Sequence, residues 1–131
     1  MATKIYSFKK EERLCSKKLL SELFNNGSSF LLYPFRVSWI YSSDPFQKFP
    51  IQVVIAVPKK RFKLSVDRNL IKRKIREAYR LNKQENLYLN LKEKKILLGL
   101  SYVGNQVHEF DYLEKKLLAA FKLLLKQMEQ Q

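Results

Sequence analysis

Cysteine is nearly missing from this chain: Cys15 stands alone, which excludes an internal disulfide and any CxxC or Cys/His set for structural zinc. The single thiol reads as a small reduced side chain rather than a redox centre. Histidine is equally scarce, and His108 has no second imidazole with which to share a metal or a proton. Three glycines and four prolines are too few for a low-complexity or disordered chain. Long apolar runs are absent as well. The opening residues, MATKIYSFKKEER, are charged and lack the continuous apolar stretch of a secretory signal, and no later segment approaches the length of a membrane span. These absences point to a cytoplasmic protein with no membrane partner.

Acidic residues are the remaining shortage, 12 Asp and Glu against 26 Lys and Arg, for a net charge of +14. Over half of that excess lies in the tract KKRFKLSVDRNLIKRKIREAYR, Lys59 to Arg80, where ten cations face only Asp67 and Glu77. Charge so concentrated calls for a polyanion.

What is present is enough for a core: 46% hydrophobic and 13% aromatic residues in 131 positions, the size of one ordinary domain. Ser16 is placed to cap a helix with Leu19, Leu20, Leu23 and Phe24 on one side, stopped by Asn25, Asn26 and Gly27. Phe35, Val37, Trp39 and Tyr41 alternate with Arg36 and Ser38, the period of a strand with one face buried. A further strand is possible near Phe30 to Leu32. Ile51 to Val57 is a β-branched run expected of a central strand covered on both faces, with Pro58 ending it.

A second helix is predicted from about Ser65 to at least Arg80, and a strand from Ile96 to Val103. A last helix opens at Asp111 and Glu114, which have capping-box spacing, and carries the stripe Leu113, Leu117, Leu118, Phe121, Leu124, Leu125 and Met128. The order α, β, β, α, β, α describes one α+β sandwich, helices on a sheet, with no linker and hence a single domain over residues 1–131.

At about 100° per residue, Ile71, Ile75, Ala78 and Tyr79 share one side of the second helix, and Asn69, Lys72, Arg73, Arg76 and Arg80 the other. Like charges at this spacing repel by a few tenths of a kcal/mol per pair. A face kept only for solubility would mix signs, so this one reads as a ridge following consecutive phosphates. The helix has no helix-turn-helix partner or dimerising seam, and Phe24, Phe30, Tyr33 and Phe35 flank Arg36; both features favour an unpaired RNA strand over duplex DNA.

The segment DRNLIKRKIREAYR resembles the signature of the protein subunit of bacterial ribonuclease P, R-N-R-x-K-R followed by R-E, through Arg68, Asn69, Lys72, Arg73, Arg76 and Glu77. ERLCSKKLLSELFNNGSSF, VVIAVPKKRFKLSV and KKILLGLSYVG are similar to the family's first helix and turn, its strand and connection before the signature, and its later strand. The likeness in element order spans about residues 8–125. It departs at Leu70, where the family's third signature residue is arginine.

The resemblance implies a fold like the second domain of ribosomal protein S5, with a mostly antiparallel sheet and a left-handed β-α-β crossover. It also implies a role in 5′ maturation of precursor tRNA, with catalysis and magnesium ions on the RNA subunit and no obligate protein partner. The signature helix then binds that RNA through Arg68, Asn69, Lys72, Arg73, Arg76 and Arg80, while Lys59, Lys60 and Arg61 extend the positive surface. The precursor's 5′ leader enters a cleft for which Leu20, Phe24, Phe35 and Arg36 are candidates. No paired carboxylates or activated nucleophile give the chain a catalytic or metal site of its own. The alternative is a ribosomal or other structural RNA-binding protein with no role in cleavage.

Overall fold

The computed structural model describes residues 8–130. Residues 1–7, part of the stretch read above for a signal, and residue 131 lie outside the described residues. Four strands form one sheet: β1 (Ser28–Leu32), β2 (Phe35–Tyr41), β3 (Ile51–Ala56) and β4 (Ile96–Tyr102), in the spatial order β1-β2-β4-β3. β1 and β2 form an antiparallel hairpin, Phe30 opposite Val37, across a cis Tyr33–Pro34 bond. β2 and β4 are also antiparallel, whereas β3 and β4 run parallel and are joined through a helical crossover. The α+β class and the strand at Phe30 to Leu32 follow the expectation.

Helix α1 (Lys17–Asn26) begins where Ser16 accepts a hydrogen bond from the Leu19 amide. It ends at Gly27, where a Cβ would lie 2.4 Å from the Leu23 carbonyl oxygen and 2.8 Å from that of Trp39. No side chain fits there. Helix α1 covers one sheet face with a small core of Leu14, Leu19, Leu23 and Leu97. The other face carries the main core, in which α2 (Ser65–Lys83) contributes Ile71, Ile75, Ala78 and Tyr79, and α3 (Phe110–Glu129) contributes Leu113, Leu117, Phe121 and Leu124. The two-sided projection of α2 is thus realised: all four of its apolar residues are inaccessible.

Three expectations change. The Ile51 to Val57 run is not a central strand: β3 is an edge, and the fully covered strand is β4. β3 nonetheless needs its apolar side chains, because α1 and α2 approach it from opposite faces and the N-terminal segment crosses its outer edge, with the Leu14 amide bonded to the Val53 carbonyl at 2.9 Å. Ser38, assigned above to the exposed face of β2, is buried, since α1 covers that face too, and Tyr41, assigned to its buried face, is exposed at the strand's end. Asp111 and Glu114 make no capping box, for Glu109 is the N-cap of α3; Glu114 instead accepts from the Asn82 amide at 2.9 Å, tying α3 to α2. Beyond Lys83 the chain stays helical through a π turn, Gln84–Tyr88, and a last turn at Leu89–Leu91, so that Leu87 and Leu91 reach the core.

Among the described residues, no helix is long and apolar enough to cross a membrane.

Candidate nucleic-acid interface

The basic connection before α2 is anchored rather than loose. Phe62 is buried against Tyr102, ring centroids 5.9 Å apart, while Lys59, Lys60 and Arg61 stay exposed around it. Arg68 turns back from the first turn of α2 and donates to the carbonyls of Phe62 and Lys63 at 2.7 and 3.0 Å. Its guanidinium therefore holds the connection in place, a task its count among the cations does not reveal. Leu70 is half-buried at the margin of the packed face.

Past Arg68 the ridge divides. Lys72, Arg73 and Arg76 make no hydrogen bond or ion pair among the described residues, and Asn69, Arg73 and Arg76 are exposed. Arg80, at the far end, is paired with Glu77 at 2.5 Å. This bond holds the Glu77 carboxyl below its ordinary range and raises Arg80 further. Lys74, off the ridge, donates to the His108 carbonyl at 3.0 Å, and the His108 ring stacks on Tyr112 at 4.3 Å between centroids. The three uncommitted cations are thus successive neighbours on one helical face.

The proposed leader residues separate. Phe35 is fully inaccessible in the main core, because the strand's alternation turns it toward α2 and α3; it offers no surface to a strand of RNA. Arg36 points to the opposite, α1-covered face and is exposed. Phe24 is 50% exposed on that face, its ring seated over Gly99, where a Cβ would lie 3.2 Å away. Leu20 is half-buried in the α1 packing. Phe24 and Arg36 remain as an aromatic surface and a cation on one side of the sheet.

Sequence reasoning missed a cleft at the β3 edge. Phe8, Leu14, Val54 and Ile55 line a cavity of about 170 Å³ that Arg13, Lys72 and Arg76 border. The i,i+4 spacing of Lys72 and Arg76 was legible; the N-terminal residues opposite them gave no signal. Their placement depends on Glu12, whose buried carboxylate takes bonds from Lys83 and Tyr88 and, at 2.7 Å, from the Lys9 amide. Burial lowers the Lys83 pKa against the opposing pull of Glu12.

No three His, Cys, Asp or Glu side chains gather as a metal set among the described residues.

The family model described as Ribonuclease P matches residues 8–125. A curated Ribonuclease P protein component from Porphyromonas gingivalis is 33% identical over 114 residues, covering 84% of this chain and 80% of the relative. One from Chlorobium phaeobacteroides is 38% identical over 87 residues, 62% of this chain and 57% of that relative. Among solved structures, the RNase P protein of Staphylococcus aureus aligns with a TM-score of 0.66 at 20% identity, over 86% of this chain and 94% of the other. That of Thermotoga maritima aligns at 0.65 and 23% identity, over 84% and 94%. The structures attest the fold; the family match and the curated relatives carry the assignment, and by them the chain belongs to the ribonuclease P protein family.

Proposed function

We propose that this chain binds the RNA subunit of ribonuclease P and the unpaired 5′ leader of precursor tRNA, promoting endonucleolytic removal of the leader in the cytoplasm. The observation that carries this reading is the row of Lys72, Arg73 and Arg76, free of hydrogen bonds and ion pairs among the described residues, on a helix whose opposite face is locked in the core. Cations held on a packed helix keep their spacing, so they orient phosphates as well as attract them. Asn69 adds a polar contact to this row. Lys59, Lys60 and Arg61 extend it, Arg68 fixes their connection, and Arg80 contributes through its pair with Glu77.

The leader takes the α1 side of the sheet, where Phe24 offers a ring for base stacking and Arg36 a cation for the strand, with Leu20 behind them. Magnesium would be held by the RNA, where it would supply a Lewis acid for the scissile phosphate. The chain's residues neutralise neighbouring phosphates and so lower the cost of assembling divalent ions beside them.

Reconstitution tests this. Protein and a bacterial ribonuclease P RNA, combined at low magnesium, remove the leader of a precursor tRNA faster than the RNA alone, and the protein alone cuts nothing. Equal rates with and without protein overturn the reading, and cleavage by protein alone moves the chemistry into this chain.

A further inference from the structure

The cleft at the β3 edge joins two chemistries that the ridge alone does not. Phe8, Leu14, Val54 and Ile55 supply apolar surface, and Arg13, Lys72 and Arg76 supply charge. None of the residues lining the cavity is acidic. Glu12, the residue before Arg13, is buried and occupied by Lys83, Tyr88 and the Lys9 amide. A purely anionic ligand has no use for the apolar lining, and an apolar ligand none for three cations.

An unpaired nucleotide uses both, its base against the apolar surface and its phosphate on the cations. The cavity, about 170 Å³, has room for one base. Lys72 and Arg76 belong at once to this cleft and to the ridge, so a strand whose phosphates follow the ridge passes the cleft's mouth. Cys15 lines the cleft before α1 begins at Lys17, whereas Phe24 lies about 10 Å along the helix from that start. None of Leu20, Phe24 and Arg36 lines the cleft, so it is distinct from the proposed leader surface.

We propose that this cleft takes the base of a single unpaired ribonucleotide displaced from an otherwise paired RNA, with the adjoining phosphate on Lys72 and Arg76. This rests on the RNA-binding reading of the ridge and adds to it a readout of unpaired nucleotides.

Three RNA duplexes test it with the full chain: one with a single bulged nucleotide, one with an abasic ribose at the bulge, and one fully paired. The bulged duplex binds about tenfold tighter than the abasic one, and Cys15→Trp, which fills the cleft from an exposed position, abolishes the difference. Arg73→Ala, on the ridge outside the cleft, weakens all three alike. Should Cys15→Trp misfold, the unmodified protein supplies a second measurement: its sole cysteine is alkylated more slowly in the presence of the bulged duplex than of the abasic one at matched occupancy. Equal affinities for the three duplexes, or equal alkylation rates, overturn the proposal while leaving ridge binding intact. Failure to bind any of the three overturns the RNA-binding reading itself and the proposal with it.

Discussion

Lys83, the last residue of α2, donates to the buried carboxylate of Glu12, 71 positions earlier in the chain. Both side chains are almost wholly out of solvent. Glu12 lies in the short turn Lys10–Glu12 that leads into the segment crossing β3, so this pair fastens that segment to the end of the signature helix.

Breaking the pair on one side leaves a charge buried without a partner. Glu12→Gln is expected to cost about 3–5 kcal/mol, and Glu12→Gln combined with Lys83→Met to restore much of the loss. Urea unfolding of the two single variants and the double variant measures the coupling.

Arg73→Ala and Arg76→Ala remove exposed cations without disturbing packing. Each is expected to weaken RNA binding and shift the melting temperature little; a large loss of stability would place these side chains in the core. With about five to eight cations on phosphate, log affinity should fall against log salt with a slope of roughly −4 to −7, and each variant should reduce its magnitude by about 0.7–0.9. A slope near zero sinks the electrostatic reading.

Arg68 behaves differently. Its bonds to the Phe62 and Lys63 carbonyls are charge-assisted, so Arg68→Ala is expected to lower stability by about 1.5–3 kcal/mol. RNA affinity should fall by more than one phosphate contact explains, because Lys59, Lys60 and Arg61 lose their fixed base. Arg68→Lys retains the charge but not the planar fork, and should recover the salt slope better than the stability.

Alkaline pH probes the buried phenols. Burial holds Tyr79 and Tyr88 well above the ordinary tyrosine value of 10.0 and pushes Tyr102 up to about 12. The unfolded chain releases these protons first, so stability falls as pH rises above 10.0, and for Tyr102 the loss runs up to about 12. Lys83, lowered by burial from 10.5, adds stability with rising pH only up to that value, so above it the phenols act unopposed by this lysine. Phenolate absorbance followed through native and unfolded titrations should show three tyrosines lagging in the folded protein.

Local signals carried most of the elements. The Ser16 cap, the inward set Phe35, Val37 and Trp39 and the stripe of α3 were legible because each depends on residues within a turn or two. Strand order was not. Ile51 to Ala56 has the composition of a central strand, yet among the described residues its neighbours are β4 on one side and Arg13 and Leu14 on the other. The same limit applies to the interface. The positions of Lys72, Arg73 and Arg76 follow from helical spacing, but Arg68's turn toward two carbonyls does not. Phe35 was misplaced because aromatic character says nothing about which sheet face is sealed. Glu12 and Lys83 meet only in the folded chain.

An open strand edge is also where a second copy of a protein can add a strand of its own. β3 is an edge strand, bridged among the described residues by the N-terminal segment at Val53, and Lys72 and Arg76 share a cleft with Val54 and Ile55. Repulsion between two such cationic rims opposes edge-to-edge pairing of free copies, the use to which many proteins put edge lysines. Partial neutralisation by too little RNA would weaken that opposition. Self-association should therefore peak at substoichiometric RNA and disappear again once each chain has its own.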